Sequence, residues 1–216
     1  MKSEEPVSGT VDVLRYGVDR QGISDRMVAR VLDSADHCVS DLGFDRTTMS
    51  AVAREAGVSR DTLHRLFATR DQMLTALGLR QIDRLLAYAL PRAMRRQKAD
   101  ERIVELALAW AYGLPDDSRF SEAFRSEEIR SKLADLVSGA PETVALVTDF
   151  LAKILADAPD VDRLCHPDDL VGMAIVVRQF GREIRQDFGG TSSARAHRAH
   201  LHRYLVPALF HDEDGA

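Results

Sequence analysis

From Val28 onward the apolar residues recur at spacings of three and four, and nowhere do they settle into alternation. That period belongs to helices with one buried face, so the pattern predicts an all-α protein. Val28, Val31, Leu32, Ala35, Cys38, Val39 and Leu42 trace the first face, opened by Ser24 as a cap and closed by Gly43. Met49, Val52, Ala53 and Ala56 trace a second, short helix, and Leu63, Leu66 and Phe67 a third. The fourth runs from Asp71 to Ala93 on Met73, Leu74, Leu77, Leu79, Ile82, Leu85 and Leu86, with Pro91 expected to kink or end its tail. Beyond Ala99 the same reading predicts helices at about Glu101–Leu114, Ser121–Ser138, Pro141–Asp157, Pro167–Phe188 and Ser192–Phe210. Pro115-Asp116-Asp117, Gly139-Ala140-Pro141, Pro159 and Gly189-Gly190 separate them.

The local chemistry is most telling between Thr47 and Arg70. Thr48 can cap the second helix by accepting a hydrogen bond from an early amide, and Ser59 can do the same for the third. Between them Gly57 enters a left-handed turn without steric cost, and Val58 plugs back into the core. Burial of Leu63, Leu66 and Phe67 leaves Arg60, Asp61, His64 and Arg65 outside. Two short helices pinned by a glycine turn, the second outwardly basic, form a helix-turn-helix suited to a DNA major groove.

From Arg30 to Thr75 the chain also resembles the amino-terminal domain of the tetracycline-repressor (TetR) family of bacterial transcription regulators. The resemblance rests on Val31-Leu32-Asp33 with Ala35, Gly43-Phe44, Thr47-Thr48, Val52-Ala53, Ala56-Gly57-Val58-Ser59, Thr62-Leu63, Phe67 and a basic Arg70. It implies that Thr47, Thr48, Thr62, His64 and Arg70 hold phosphates of a double-stranded DNA operator, with Arg60, Asp61 and Arg65 near base edges. Four positions depart from the family pattern: Asp61 for a small residue, His64 for a tyrosine, Leu66 for a histidine and Arg70 for a lysine.

The resemblance implies a domain order. Residues 1–23, with Pro6, Gly9, Gly17 and Gly22, read as a mobile arm; Arg15 and Arg20 could reach a minor groove, and a disordered tail is the plainer reading. Residues 24–70 would be the DNA-binding domain and 71–216 a helical regulatory and dimerisation body, with 71–98 as connecting helix. The function implied is that of a ligand-responsive repressor, released from a pseudo-palindromic operator by a small-molecule inducer. Trp110, Tyr112, Phe120, Phe124 and Phe150 concentrate large side chains in the middle helices and could line a pocket, although each taken singly reads as core; Trp110 and Phe124 are the candidate inducer contacts. The helix after Pro167 is apolar over more than one face, which calls for cover on several sides. A homodimer through the last two helices would supply it, with Val171, Ala174, Val177, Gly181, Leu201, Tyr204 and Leu205 at the interface. Asp61, whose charge repels phosphate, favours the alternative of an all-helical ligand-binding or adaptor protein whose helix-turn-helix no longer binds DNA.

Charge argues against DNA until it is divided. The whole chain carries −5, yet residues 24 to 98 hold 13 basic against 9 acidic residues, a net of +4. At 45% hydrophobic and 29% charged the composition is that of a globular chain. MKSEEPVSGT lacks the order of a signal peptide, and apolar runs such as Met173 to Val177 are too short to span a bilayer. Cys38 falls on a buried face and Cys165 shortly before Pro167, as expected of a reduced, cytoplasmic protein with no membrane contact.

Other chemistries find little support. His197 and His200 share a helix face, but no paired Cys-x-x-Cys or His-Glu-x-x-His accompanies them or Cys165, His166, His202 and His211. The histidines therefore read as a solvated or dimer-edge face, with no metal and no cofactor expected. Asp187-Phe188-Gly189 lacks any partner phosphate loop, and no Gly-x-Ser-x-Gly elbow or dinucleotide fingerprint occurs. Enzymatic activity is not expected.

Overall fold

A computed structural model of the chain describes residues 25–112, 126–138, 140–187 and 193–211. Within them lie nine helices: α1 (Asp25–Leu42), α2 (Met49–Glu55), α3 (Arg60–Leu66), α4 (Arg70–Ala93), α5 (Ala99–Tyr112), α6 (Glu127–Ser138), α7 (Pro141–Leu155), α8 (Leu170–Asp187) and α9 (Ala194–Leu209). The fold is all-α, as the apolar period requires. Among the described residues the only extended pairing is an isolated antiparallel bridge of Leu164 with Phe210, reinforced by Cys165 N donating to Leu209 O at 2.9 Å.

α2 and α3 are short, at seven residues each, and both they and α4 start on side-chain caps. The Thr48 hydroxyl accepts from Ala51 N at 3.2 Å, that of Ser59 from Thr62 N at 3.0 Å, and that of Thr69 from Gln72 N at 3.1 Å. Gly57 takes φ +63°, which turns the chain sharply between α2 and α3. A helix of seven residues does not persist alone in water. Burial of Leu63, Leu66 and Phe67, each worth about 1.5–3 kcal/mol, holds α3 in place.

α4 belongs to two neighbourhoods at once. It packs on α1 and also on α5, α6 and α7. At Gly78 the helix comes so close to α6 that an added Cβ would lie 2.5 Å from Val137 Cγ1. Pro91 does not break α4, which continues two residues to Ala93. The boundary expected between residues 70 and 71 therefore falls in the first turn of a continuous helix, and one hydrophobic cluster runs from α1 through to α9.

In the rest of the chain α5 is the central helix, buried at almost every position from Ile103 to Ala109 and packed on α4, α7, α8 and α9. Two buried ionic groups tie it down. Arg102 donates to the carbonyls of Arg96 (2.9 Å) and Ile154 (2.7 Å) and pairs with Asp157. Glu105 receives Arg96 and, from α9, Arg198, each with a nitrogen at 2.7 Å. α8 starts at Leu170, later than Pro167, because Asp169 caps it: its Oδ1 accepts from Gly172 N at 2.7 Å. At Gly181, α8 crosses α5 closely enough that a Cβ would meet Ala107 O at 3.0 Å.

Candidate nucleic-acid interface

α3 presents one polar face. Arg60, Asp61, His64 and Arg65 are exposed, while Leu63 and Leu66 point inward, so the departure at Leu66 is a matter of packing. Among the described residues nothing in the chain engages the side chains of Arg60, Asp61 or His64 by hydrogen bond or ion pair. Thr62 is half-buried; its Oγ1 lies 2.8 Å from Ser59 Oγ and receives Arg65 Nη2 at 3.5 Å. That small network fixes the start of α3 and leaves the rest of the Arg65 guanidinium outward. Thr48 is exposed, and its hydroxyl, used as an acceptor by Ala51 N, keeps its proton to donate.

Two of the expected phosphate contacts are corrected by the structure. Thr47 is 0% exposed, and its hydroxyl donates to Gly43 O at 2.9 Å. It shapes the loop between α1 and α2 and offers no surface to a phosphate. Arg70 turns the same way. Its Nε donates to Thr47 O at 2.6 Å, its Nη2 donates to Phe44 O, and its Nη1 lies 3.3 Å from Asp71 Oδ1. The guanidinium also stands 4.9 Å from the centre of the Phe44 ring. With two of its donors on backbone carbonyls, Arg70 clasps the α1–α2 loop onto α4. A pattern of residue types places a basic residue there but does not tell which way the side chain folds.

Other contacts escape sequence reasoning altogether. Lys132 of α6 reaches across to Asp45 in the α1–α2 loop at 2.6 Å and to Glu128 at 3.1 Å. The hydrogen bond from Lys132 holds the Asp45 carboxyl below its usual range, and Asp45 and then Glu128 raise the ammonium. Arg80 of α4, buried, pairs with Asp33 of α1 at 2.7 Å and with Asp36 at 3.8 Å. Burial, and the neighbouring Arg84, depress its pKa despite these partners. Arg46 is exposed beside Thr48, with Nε on Leu42 O at 2.7 Å. Its only signal in the sequence is adjacency to the Thr47-Thr48 pair.

The remaining expected site residues divide. Trp110 is half-buried against the core where α8 crosses, and Phe124, like Phe120 and residues 1–23, lies outside the described residues. Of the expected interface, Val177 is 1% exposed, Leu201 and Leu205 are fully buried, and Gly181 faces α5 of the same chain. These four are core, and no second copy can reach them. The stripe chosen on α8 is the one that the chain's own α5 covers. Val171 (45% exposed), Tyr204 (51%) and the half-buried Ala174 stay accessible, joined by Ile175 (56%), one turn beyond Val171. His197 is likewise no surface residue. It is buried against Tyr112, whose hydroxyl meets its Nδ1, and burial, with His200 nearby, holds its pKa down.

Comparison with known proteins meets the same region. Residues 31–77 match the family described as bacterial regulatory proteins, tetR family. The HTH-type transcriptional regulator BetI of Rhizobium meliloti (strain 1021) is 32% identical over 117 residues, 48% of this chain and 55% of that protein. BetI of Agrobacterium fabrum (strain C58) is 28% identical over 150 residues, covering 67% of this chain and 68% of the relative. The chain thus spans little more than half the length of the first of these relatives. Among solved structures, a TetR transcriptional regulator from Rhodococcus sp. RHA1 superposes with a TM-score of 0.57 at 18% identity, over 82% of this chain and 93% of that one. The multidrug binding protein EbrR complexed with imidazole gives 0.55 at 19% identity, over 82% and 93%. At such identities the likeness is one of fold.

Proposed function

We propose that the chain, whose residues 31–77 match the tetR family of bacterial regulatory proteins, is a ligand-responsive DNA-binding transcription regulator of that family, a repressor that leaves a pseudo-palindromic operator when a small molecule binds. The observation that carries the reading is the exposed face of α3. It sets Arg60, Asp61, His64 and Arg65 side by side, with the core residues Leu63 and Leu66 anchoring the opposite side. A helix so anchored enters a major groove with its first residues at the base edges. Thr48, Thr62 and His64, with Arg46, stand as the donors to phosphate, and Arg60 and Arg65 as the readers of bases.

A pseudo-palindromic site needs two such helices, hence two copies of the chain. The partner would sit on the accessible part of α8 and α9, at Val171, Ala174, Ile175 and Tyr204. An inducer would act from the helices behind α4; Trp110 remains the candidate contact there, and a relative in fold is named as a multidrug binding protein. Regulation of transcription implies a cytoplasmic protein without an enzymatic step, and no described helix is long and apolar enough to cross a membrane.

Fluorescence-anisotropy titration with the promoter fragment beside the chain's own gene tests the reading. Nanomolar binding that weakens steeply with salt is expected, since each phosphate contact releases counterions. Binding that is weak and indifferent to sequence would favour the helical ligand-binding or adaptor protein instead.

A further inference from the structure

The carboxylate of Asp61 sits in the first turn of α3, exposed, between the guanidinium-bearing Arg60 and the outward strip of His64 and Arg65. Its ordinary uses are already filled. Ser59, not Asp61, caps the helix, its hydroxyl accepting from Thr62 N at 3.0 Å. Arg65 lies four residues on, the spacing at which a helix pairs opposite charges. Yet Arg65 Nη2 donates to Thr62 Oγ1, and no described side chain pairs with Asp61. A free acid on the face that meets a polyanion costs binding unless it meets a donor there.

The major groove offers few donors. An ionised carboxylate can only accept. Guanine presents the acceptors N7 and O6, and thymine presents O4 and a methyl group. Adenine has its N6 amino group beside the N7 acceptor, whose lone pair would face the second carboxylate oxygen. Cytosine alone presents an amino donor, N4, with no acceptor of its own beside it in the groove. On the basis of the DNA-binding reading above, we propose that Asp61 is a specificity-determining residue that accepts a hydrogen bond from a cytosine N4 amino group, so that each operator half-site carries a G·C pair where the first turn of α3 enters the groove.

The arrangement also explains why a negative charge is tolerated there. Guanine opposite the cytosine supplies O6 and N7, the edge that an arginine fork grips in two places. Arg60, adjacent to Asp61 and itself without an internal partner, is placed to take it or the neighbouring pair. Acceptor and donor side by side on the helix then meet donor and acceptor side by side on the base pairs. The flanking Arg60 and Arg65 keep the net charge of this face positive toward the phosphates.

Selection from randomised duplex DNA by the full-length chain tests the assignment, with wild type, Asp61→Asn and Asp61→Ala run in parallel. The wild type is expected to fix a cytosine at one position in each half-site. Asp61→Asn, whose amide matches the donor–acceptor pair of adenine, should move that position to adenine, and Asp61→Ala should relax it while the other positions stand. Exchanging that G·C pair for A·T should weaken wild-type binding on the order of tenfold to a hundredfold, and leave Asp61→Ala indifferent. Identical selected sites for all three proteins would overturn the proposal. So would a uniform gain in affinity of Asp61→Ala on every duplex, the mark of a carboxylate facing phosphate. If the wild type enriches no sequence and shows no salt-dependent binding, the DNA-binding reading itself fails, and this assignment with it.

Discussion

Arg70 Nε lies 2.6 Å from the carbonyl oxygen of Thr47, twenty-three residues away along the chain. With a second donor on Phe44 O, the guanidinium holds two carbonyls of the α1–α2 loop against the start of α4. Hydrogen bonds from a charged donor contribute about 1.5–3 kcal/mol each when removal leaves the partners unmet. Water reaches the part-exposed side chain and replaces some of that, so Arg70→Ala should lower the unfolding free energy by roughly 2–3 kcal/mol, less than the sum of two such bonds. Arg70→Lys should recover only part of it, because an ammonium lacks the planar fork. Urea titration with circular dichroism reads both. Unchanged stability of Arg70→Ala would return the residue to a role at phosphate.

Arg60→Ala should behave in the opposite way. The side chain is exposed and supports nothing within the described chain, so stability should stay within about 0.5 kcal/mol. Operator binding should weaken by about 1–3 kcal/mol if the contact to a guanine is bidentate, with relaxed preference at one position of each half-site. Anisotropy titration against the operator and single-pair variants reads the two effects separately.

That contrast shows how much the sequence could tell. The turn between α2 and α3 was legible because its determinants are local: Gly57 for the left-handed residue, Thr48 and Ser59 for the caps, and Leu63, Leu66 and Phe67 for the buried stripe. Thr47 and Arg70 show that a polar residue in the right place can turn inward, Thr47 onto the carbonyl of Gly43 four residues back and Arg70 onto carbonyls far along the chain, and residue type does not reveal either turn. Lys132 with Asp45, 87 residues apart, had no local signal at all. From Leu170 to Val177 every position of α8 is apolar or glycine, so the pattern predicted burial without saying whether α5 or a second copy supplies it.

The two sides of α8 give a paired test. Ile175→Glu or Tyr204→Glu places a charge on an exposed position and should leave the fold intact. If the partner copy sits there, sedimentation at micromolar concentration should show a shift toward the 24.0 kDa monomer. Val177→Glu instead buries an unpaired carboxylate between α8 and its own neighbours, at a cost of at least about 3 kcal/mol. It should lower the melting temperature sharply whatever the oligomeric state. A wild type already sedimenting as a monomer removes the interface.

His37 adds a pH dependence to the same end of the molecule. Its Nδ1 lies 3.0 Å from Glu55 Oε1 of α2 and its Nε2 3.3 Å from Asp41 Oδ2 of α1. The hydrogen bond to Glu55, followed by the charges of Asp41 and Glu55, raises its pKa above the usual 6.5. A raised folded-state pKa stabilises fully below the unfolded value, and that contribution fades as pH rises through the folded one. The wild type should therefore lose slightly more melting temperature between mildly acidic and mildly alkaline buffer than His37→Gln does. Parallel curves for the two proteins would show that the ring, exposed as it is, contributes nothing through its charge.

The unbroken course of α4 makes it a lever. Its 24 residues rise about 36 Å, and Arg70 stands about 12 Å from the crossing with α6 at Gly78. A tilt of about 5° around that crossing would carry the Arg70 end by roughly 1 Å, more than the usual spread of hydrogen-bond lengths. The loop must either follow or let go. Because Arg70 grips the carbonyls of Phe44 and Thr47, its hydrogen bonds are made to backbone and not to the side chains of the loop. An exposed loop residue such as Arg46 can then be replaced while those bonds, and any motion they transmit, stay the same.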